Sequence, residues 1–305
     1  MRNTTFKQFR GLEALARIGT VSGAAKELNL TPPAVTTQVR QLEEAAGLPL
    51  IERVGDRFQP TEAGRQVLAA GARIESALSD CDDVLRSLKG LTGGKASLAV
   101  VSTAKYFAPH ALGAFGKVHP TIELKLLVSN RDDLFTVLRN DAVDIAVMGR
   151  PPEDIEVERW VIGDHPHIII AAPDHPLVGR RSIAISELAR ETFLVREPGS
   201  GTRTLMERRL AEADVSPKIG IEIGSNETIK QAVMAGLGIS FISAHTVAAE
   251  LADGRLVELK VNGLPLMRQW FVVKRADKRL LPAAEALRAF LASEGQRFLP
   301  KWRVD

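Results

Sequence analysis

The chain has 305 residues, 45% of them hydrophobic and 25% charged, with a formal net charge of +3, the balance of a globular protein long enough for two or three compact units with separate cores. The single cysteine, Cys81, excludes a disulfide framework and fits a reducing compartment. The opening MRNTTFKQFRGLEALARIG lacks the apolar core of a secretory signal, and no apolar run is long enough for a membrane helix, so the expected location is the cytoplasm with no membrane partner.

Phe6, Phe9, Leu12, Leu15, Ala16 and Ile18 recur at helical spacing and predict a first helix near 5–18, closed by Gly19. GTVSGAAKELNL predicts a second near 23–28, with Ser22 as its cap and Leu28 and Leu30 turned to the core. Then come two prolines, Pro32 and Pro33, just before apolar spacing resumes at Val35, Val39 and Leu42. Proline is tolerated in a first helical turn, where its missing N–H has no intrahelical acceptor. The pair therefore marks a helix start behind the N-cap Thr31, and two short helices joined by a tight turn make a helix-turn-helix. Burying Val35, Val39 and Leu42 leaves Pro33, Thr36, Thr37, Gln38, Arg40 and Gln41 on the other faces, with side chains of the types that contact bases and phosphates.

GLPLIERVGDRFQPTEAG follows, two short strand-like pieces around a Gly55-Asp56 turn. A hairpin after the third helix is a wing, and Arg53 and Arg57 flank its tip, placed to hold DNA backbone. Bulk charge does not locate this site: residues 1–60 carry eight Lys/Arg against six Asp/Glu. From Thr61 to Lys89 the pattern is one long helix. Val67, Gly71, Ile74, Leu78, Cys81, Leu85 and Leu88 alternate spacings of four and three, the seam of a coiled coil. KGLTGGKAS (89–97) fails the spacing of a phosphate loop and reads as a hinge, and GLGISF (236–241) lacks the last glycine of a dinucleotide fingerprint.

From residue 96 onward strands and helices alternate, which predicts α/β structure with parallel strands. SLAVVS, IELKLLVS and VDIAVMG belong to a first unit; HIIIAAP, FLVRE, KIGIEIG and GISFIS to a second; QWFVVKR and PAAEALRAFLASEG return to the first. Strand ends carry small polar residues before helix starts: Ser102, Thr103 and Lys105; Ser129; Arg150; Ser200, Gly201, Thr202 and Arg203; Ser225, Asn226 and Glu227. Exposed N–H groups, hydroxyls and positive helix ends favour an anion. Glu227 opposes one directly above it, so it is expected to cap a helix or point aside. Catalytic patterns are missing: there is no Gly-x-Ser-x-Gly elbow, and His165 and His167 have no carboxylate or cysteine at metal-ligand spacing, so they read as structural.

The segment SGAAKELNLTPPAVTTQVRQLEEAAGLPLIERVGDRFQPTEAG resembles the N-terminal signature of LysR-type transcriptional regulators. The shared skeleton is Ser22, Ala24-Ala25, Leu28, Thr31, Pro33-Ala34-Val35, Gln38, Val39, Leu42-Glu43, Gly47, Leu50, Arg53, Thr61 and Gly64. Pro32 and Thr36 depart from the family's usual Gln and Ser, and Pro32 has no amide to pair with adenine. The resemblance implies an α/β multidomain fold. Residues 1–62 would form a winged helix-turn-helix, 63–90 a dimerising linker helix, and 91–305 an effector domain of periplasmic-binding-protein type 2 architecture. Its subdomain I would take 91–163 and 266–305, and subdomain II 164–265. STAKYFAPH, LGAFGKVHP and GSGTR further resemble the regulators of Rubisco and Calvin-cycle operons.

That resemblance implies no cofactor and no enzymatic activity. It implies promoter DNA with T-n11-A type sites as partner, a homodimer or homotetramer, contact with RNA polymerase, and a small anionic effector. The effector would be a sugar phosphate, phospho-acid or nucleotide such as ribulose 1,5-bisphosphate, phosphoglycolate or NADPH. On this reading Ser22, Pro33, Thr36, Thr37, Gln38, Arg40, Arg53 and Arg57 face DNA, and Ser102, Thr103, Lys105, Ser129, Arg150, Thr202, Arg203, Asn226 and Glu227 face the effector. The rival readings are a LysR-type regulator of another pathway (inorganic-carbon uptake or organic-acid catabolism), a solute-binding protein, and an enzyme on the same α/β fold.

Overall fold

A computed structural model describes residues 4–88 and 93–302, which divide into two compact units, one N-terminal and one holding nearly all of the remainder. In the first, helix α1 (Phe6–Ile18) begins where Gln8 accepts from the Thr5 N–H at 2.6 Å, and it ends at Gly19 with φ +81°. Helix α2 (Val21–Leu28) is capped by Thr20, whose hydroxyl accepts from the Gly23 N–H at 3.3 Å. The expected cap, Ser22, lies inside the first turn instead, because the Gly19 turn is tight enough for the helix to start at Val21. Asn29 leaves the helix in the left-handed region, and Leu30 is exposed rather than turned to the core.

Helix α3 (Pro32–Ala46) carries both prolines in its first turn and buries Val35, Val39 and Leu42. These pack on Leu12, Leu15, Ala24, Ala25 and Leu50. The carboxylate of Glu43 then accepts from the Leu50 and Ile51 N–H groups and so fixes the start of the hairpin β1 (Ile51–Val54) and β2 (Arg57–Pro60). Gly55 turns it at φ +62°. Helix α4 (Glu62–Leu88) is capped by Thr61, and the Leu50 carbonyl passes so close to Gly64 that any Cβ would lie 1.9 Å from it. Of the expected seam, Val67 packs on this core and Gly71 faces Phe9, whereas Ile74, Leu78, Cys81 and Leu85 are exposed. The side chain of Leu88 lies outside the described residues.

In the second unit, β3 (Gly94–Val101) begins within the expected hinge, whose residues 89–92 lie outside the described residues. It pairs in parallel with β4 (Ile122–Ser129) on one side and β5 (Ile145–Met148) on the other. Between these strands run α5 (Ala108–Val118) and α6 (Arg131–Arg139). Strand β6 (Val157–Ala171) is much longer than HIIIAAP suggests. Beyond it come β7 (Thr192–Arg196), α7 (Gly201–Ala211), β8 (Lys218–Ile223), α8 (Asn226–Met234), β9 (Ser240–Ser243), α9 (Ala248–Ala252) and β10 (Val257–Glu258). Strand β11 (Leu266–Arg275) returns antiparallel to both β6 and β5, and α10 (Pro282–Glu294) covers the first half.

The seven-stranded sheet is therefore mixed, not parallel: β9, β10 and β11 all run against β6, while β3, β4 and β5 pair in parallel, as do β7 and β8 in a separate two-stranded sheet. The two crossing strands impose this, since one carries the chain out of the first subdomain and the other brings it back. One core lies around Trp270, Leu98, Phe107, Phe115 and Leu287, and a second around Phe193, Ile169, Met206 and Phe241.

Candidate functional site

In the N-terminal unit, Pro33, Thr36, Thr37 and Arg40 lie exposed along α3, and Ser22 is exposed in the first turn of α2. Thr36 Oγ1 donates to the Pro32 carbonyl at 3.1 Å, which leaves the hydroxyl's acceptor lone pairs and its methyl for an outside partner. Among the described residues Arg40 pairs with Glu44, at 3.5 Å across one exposed helical turn, a tie weak in water. Gln38 departs from the expected exterior. It is half-buried, and its Oε1 lies where a methyl on Gly11 of α1 would meet it at 2.9 Å. The α1–α3 packing turns it inward. On the wing, Arg53 donates to the Gly55 carbonyl and sits 3.5 Å from Asp56, and the Arg57 stem packs against Gly19. Both residues flank the hairpin tip.

In the second unit a cavity of about 90 Å³ opens where the carboxyl ends of β3 and β5 meet β6, α7 and β11. That is the crevice in which open α/β sheets bind ligands. Among the residues expected to face an effector, Ser102, Thr103, Arg150 and Thr202 line it. The others do not. Lys105 lies over the Tyr106 ring at 5.2 Å, and Arg203 is spent on Glu207 and Glu222 and on the Arg196 carbonyl. Asn226 accepts from the buried Arg196 at 2.6 Å. Glu227 points aside to Lys230 at 2.7 Å, as its charge predicts. Ser129 turns its Oγ into a buried spot off the cavity, while its carbonyl accepts from the Ser102 N–H. For Lys105, Arg203, Asn226 and Glu227 a nearer partner claims the side chain, whereas Ser129 Oγ has no hydrogen-bond partner among the described residues.

Sequence reasoning missed Arg131, Arg208 and Arg268, and set His165 and His167 aside; all five line the cavity. Arg131 follows the Asn130 cap of α6 and stacks on Phe135 with its guanidinium carbon 4.3 Å from the ring. Arg268 sits on β11 directly across from His165 on β6. No aspartate or glutamate is among the lining residues. Burial lowers the pKa of Arg131 against the opposing effect of Asp132, and Arg150 adds to the lowering; burial likewise lowers Arg268, reinforced by Arg208 and Arg150. Four guanidinium groups line the concave space beside the Ser200–Gly201–Thr202 start of α7, an arrangement that favours anions, although Arg131, Arg150 and Arg208 also pair with Asp132, Glu153 and Glu212, which do not line it. Ser102 also joins the two subdomains. Its Oγ accepts from both terminal nitrogens of Arg196, at 3.3 and 3.2 Å.

His165 and His167 form part of the cavity wall, with His245 behind Trp270. His165 stacks on Trp270 with centroids 3.7 Å apart, His167 lies 4.2 Å from His165, and Trp270 donates to His245 at 3.1 Å. Burial holds all three neutral, lowering His167 to about 3, His245 to about 4, and His165 well below its ordinary value. No cluster of three His, Cys, Asp or Glu with metal-binding geometry occurs among the described residues. The unfolded chain takes up protons on these rings below pH ~6.5 while the folded chain does not. Stability is thus full above ~6.5 and falls by about 1.4 kcal/mol per ring per pH unit as pH drops toward the folded values. Urea melts of the second unit's signal at pH 7.5 and 5.5 check this: the midpoint should drop at 5.5, and an unchanged midpoint would mean solvated rings.

Residues 6–65 match the profile of the bacterial regulatory helix-turn-helix protein, lysR family, and residues 89–296 that of the LysR substrate binding domain. The chain is 54% identical to the HTH-type transcriptional regulator CbbR of Xanthobacter flavus, covering 97% of this chain and 90% of that one. It is 46% identical to the RuBisCO operon transcriptional regulator of Allochromatium vinosum, over 97% of this chain and 98% of that one. The regulatory domain of Synechocystis PCC6803 CcmR, solved in complex with 2-PG, superposes with a TM-score of 0.64 at 37% identity, over 66% of this chain and 96% of that one. No helix among the described residues is long and apolar enough to cross a membrane. The winged helix-turn-helix and the two-subdomain α/β domain are thus those of a DNA-binding regulator rather than an enzyme, and the chain belongs to the LysR family of bacterial transcriptional regulators.

Proposed function

We propose that this regulator controls genes of CO2 fixation, and that a small phosphorylated or otherwise anionic metabolite in the cleft of its α/β domain sets its state on promoter DNA. The carboxylate-free cavity with its four arginines carries the reading. The 46% identical RuBisCO operon transcriptional regulator supports the pathway, and the 2-PG complex of a 37% identical domain offers a ligand of the right chemistry. A ligand acts by binding one arrangement of the two subdomains better than another, and the Arg196–Ser102 contact is one such difference a bound anion would alter. The exposed apolar face of α4, with Ile74, Leu78 and Leu85, suits pairing of two copies, so a homodimer reading two half-sites and its homotetramer are the proposed working forms, in contact with RNA polymerase.

Thermal unfolding of the full chain against ribulose 1,5-bisphosphate, phosphoglycolate, phosphoenolpyruvate, NADPH, ATP, 2-oxoglutarate and an aromatic acid tests the effector class. A ligand at 100 times its dissociation constant adds about 2.7 kcal/mol. A shift with phosphorylated compounds supports the reading; a shift with the aromatic acid alone moves the protein to another pathway. On the DNA side, Arg53→Ala is expected to weaken specific and non-specific duplexes alike and to lower the salt slope by about one. An unchanged slope in a salt titration removes Arg53 from the interface.

A further inference from the structure

His165 occupies a built position. Its ring is flat against Trp270, with 14° between the planes, and it is almost wholly buried. A methyl on Gly149 would sit 2.8 Å from its Nδ1. Gly149 is not among the glycines in the left-handed region, so what its missing side chain provides is room for this ring. The neighbouring rings are tied internally: His167 Nδ1 donates to the His165 carbonyl, and His245 Nδ1 accepts from Trp270. Both nitrogens of His165 are buried with no hydrogen-bond partner among the described residues. A buried donor and acceptor left unmade is costly, so a position so well defined points to an outside group that completes it.

The surroundings narrow that group. Arg268 is the cross-strand partner of His165, so the two side chains share one face of the sheet and both line the cavity. Arg150 approaches from the end of β5, while Arg131 and Arg208 come from α6 and α7. Ser102, Thr103 and the start of α7 make a second polar wall, of the kind that receives phosphoryl oxygens. We propose that His165 is a specificity-determining residue of the cleft: with Arg268 it hydrogen-bonds a carboxyl group, while the α7 start and the Ser102-Thr103 hydroxyls take a phosphoryl group, so that the site selects a short phosphorylated acid over phosphate alone. This rests on the effector reading above and adds the second recognition point.

The test is titration calorimetry on the full chain with 2-phosphoglycolate and, by competition, inorganic phosphate. His165→Phe keeps the stack on Trp270 and removes both nitrogens; His165→Gln keeps a donor and an acceptor. The unaltered protein is expected to prefer phosphoglycolate. His165→Phe should lose at least tenfold of that affinity with phosphate binding within twofold of the original, and His165→Gln should recover part of the loss. Equal losses for both ligands, or no loss for either, overturn the assignment. Should the Phe variant fail to fold, loss of the preference in a folded Gln variant overturns it, and a retained preference supports it. Failure of the unaltered protein to bind phosphoglycolate at all is a separate result, which overturns the effector reading and this assignment with it.

Discussion

Arg268→Ala is expected to weaken the binding of an anionic effector by one to two orders of magnitude while leaving the unliganded domain as stable as before or slightly more so. The guanidinium lies half-buried in the cavity wall, no carboxylate is within ion-pair distance of it among the described residues, and Arg208 and Arg150 push its pKa down along with burial. Its removal therefore relieves repulsion in the empty cleft. In the filled cleft the same removal takes away a charge-assisted hydrogen bond, worth about 1.5–3 kcal/mol. Calorimetry with phosphoglycolate and a thermal melt without it separate the two effects. A fall in unliganded stability as large as the loss in binding would make Arg268 a structural residue and leave the anion receptor without its central charge. Arg203→Ala is the matching control. That arginine is already paired with Glu207 and Glu222 outside the cavity, so effector affinity should not change.

Leu42→Ala is expected to destabilise the N-terminal unit by about 2–5 kcal/mol, the cost of emptying a fully buried leucine site. Leu42 closes the stripe that seats α3 on α1 and α2, within a core of few large side chains. Whole domains hold only about 5–15 kcal/mol of net stability, so one small unit gives up a large share of its own. The second unit has separate cores, and its effector affinity should stay within twofold. Hydrogen exchange over residues 12–50 beside an effector titration checks both halves: faster exchange with loss of DNA binding is expected, and unchanged exchange would mean the stripe is not what holds α3.

Much of the first unit was legible because its determinants are local. Two prolines mark a helix start by their missing N–H groups, and the Val35–Val39–Leu42 spacing identifies the buried side whatever lies opposite. The wing follows from a Gly-Asp pair between two strand-like pieces. What failed there failed in detail, not in kind. Thr20 caps in place of Ser22, Leu30 points outward, and Gln38 turns inward, because where a side chain ends up beyond its helix depends on the neighbouring helix.

The second unit shows the opposite balance. Alternation of strands and helices announced α/β structure, and the polar strand ends announced a cleft, since both are written in short contiguous segments. The mixed sheet was not legible. Strand β6 runs through a stretch with charges and Pro166, and pairing with β11 from Val157 to His167 makes that stretch a strand. Of the arginines that give the cavity its charge, only Arg150, at a strand end, was legible. Arg131, Arg150, Arg208 and Arg268 stand on separate elements with no common spacing, and a histidine that looked structural proves to be cavity wall. The sequence alone therefore determined the family, the helix-turn-helix and the kind of chain that follows it, because helix caps, apolar periods and turn residues act over a few positions. Which side chains meet around the ligand was decided only by the tertiary structure, because charge converges through space, where strand crossings and helix packing bring distant residues to one crevice.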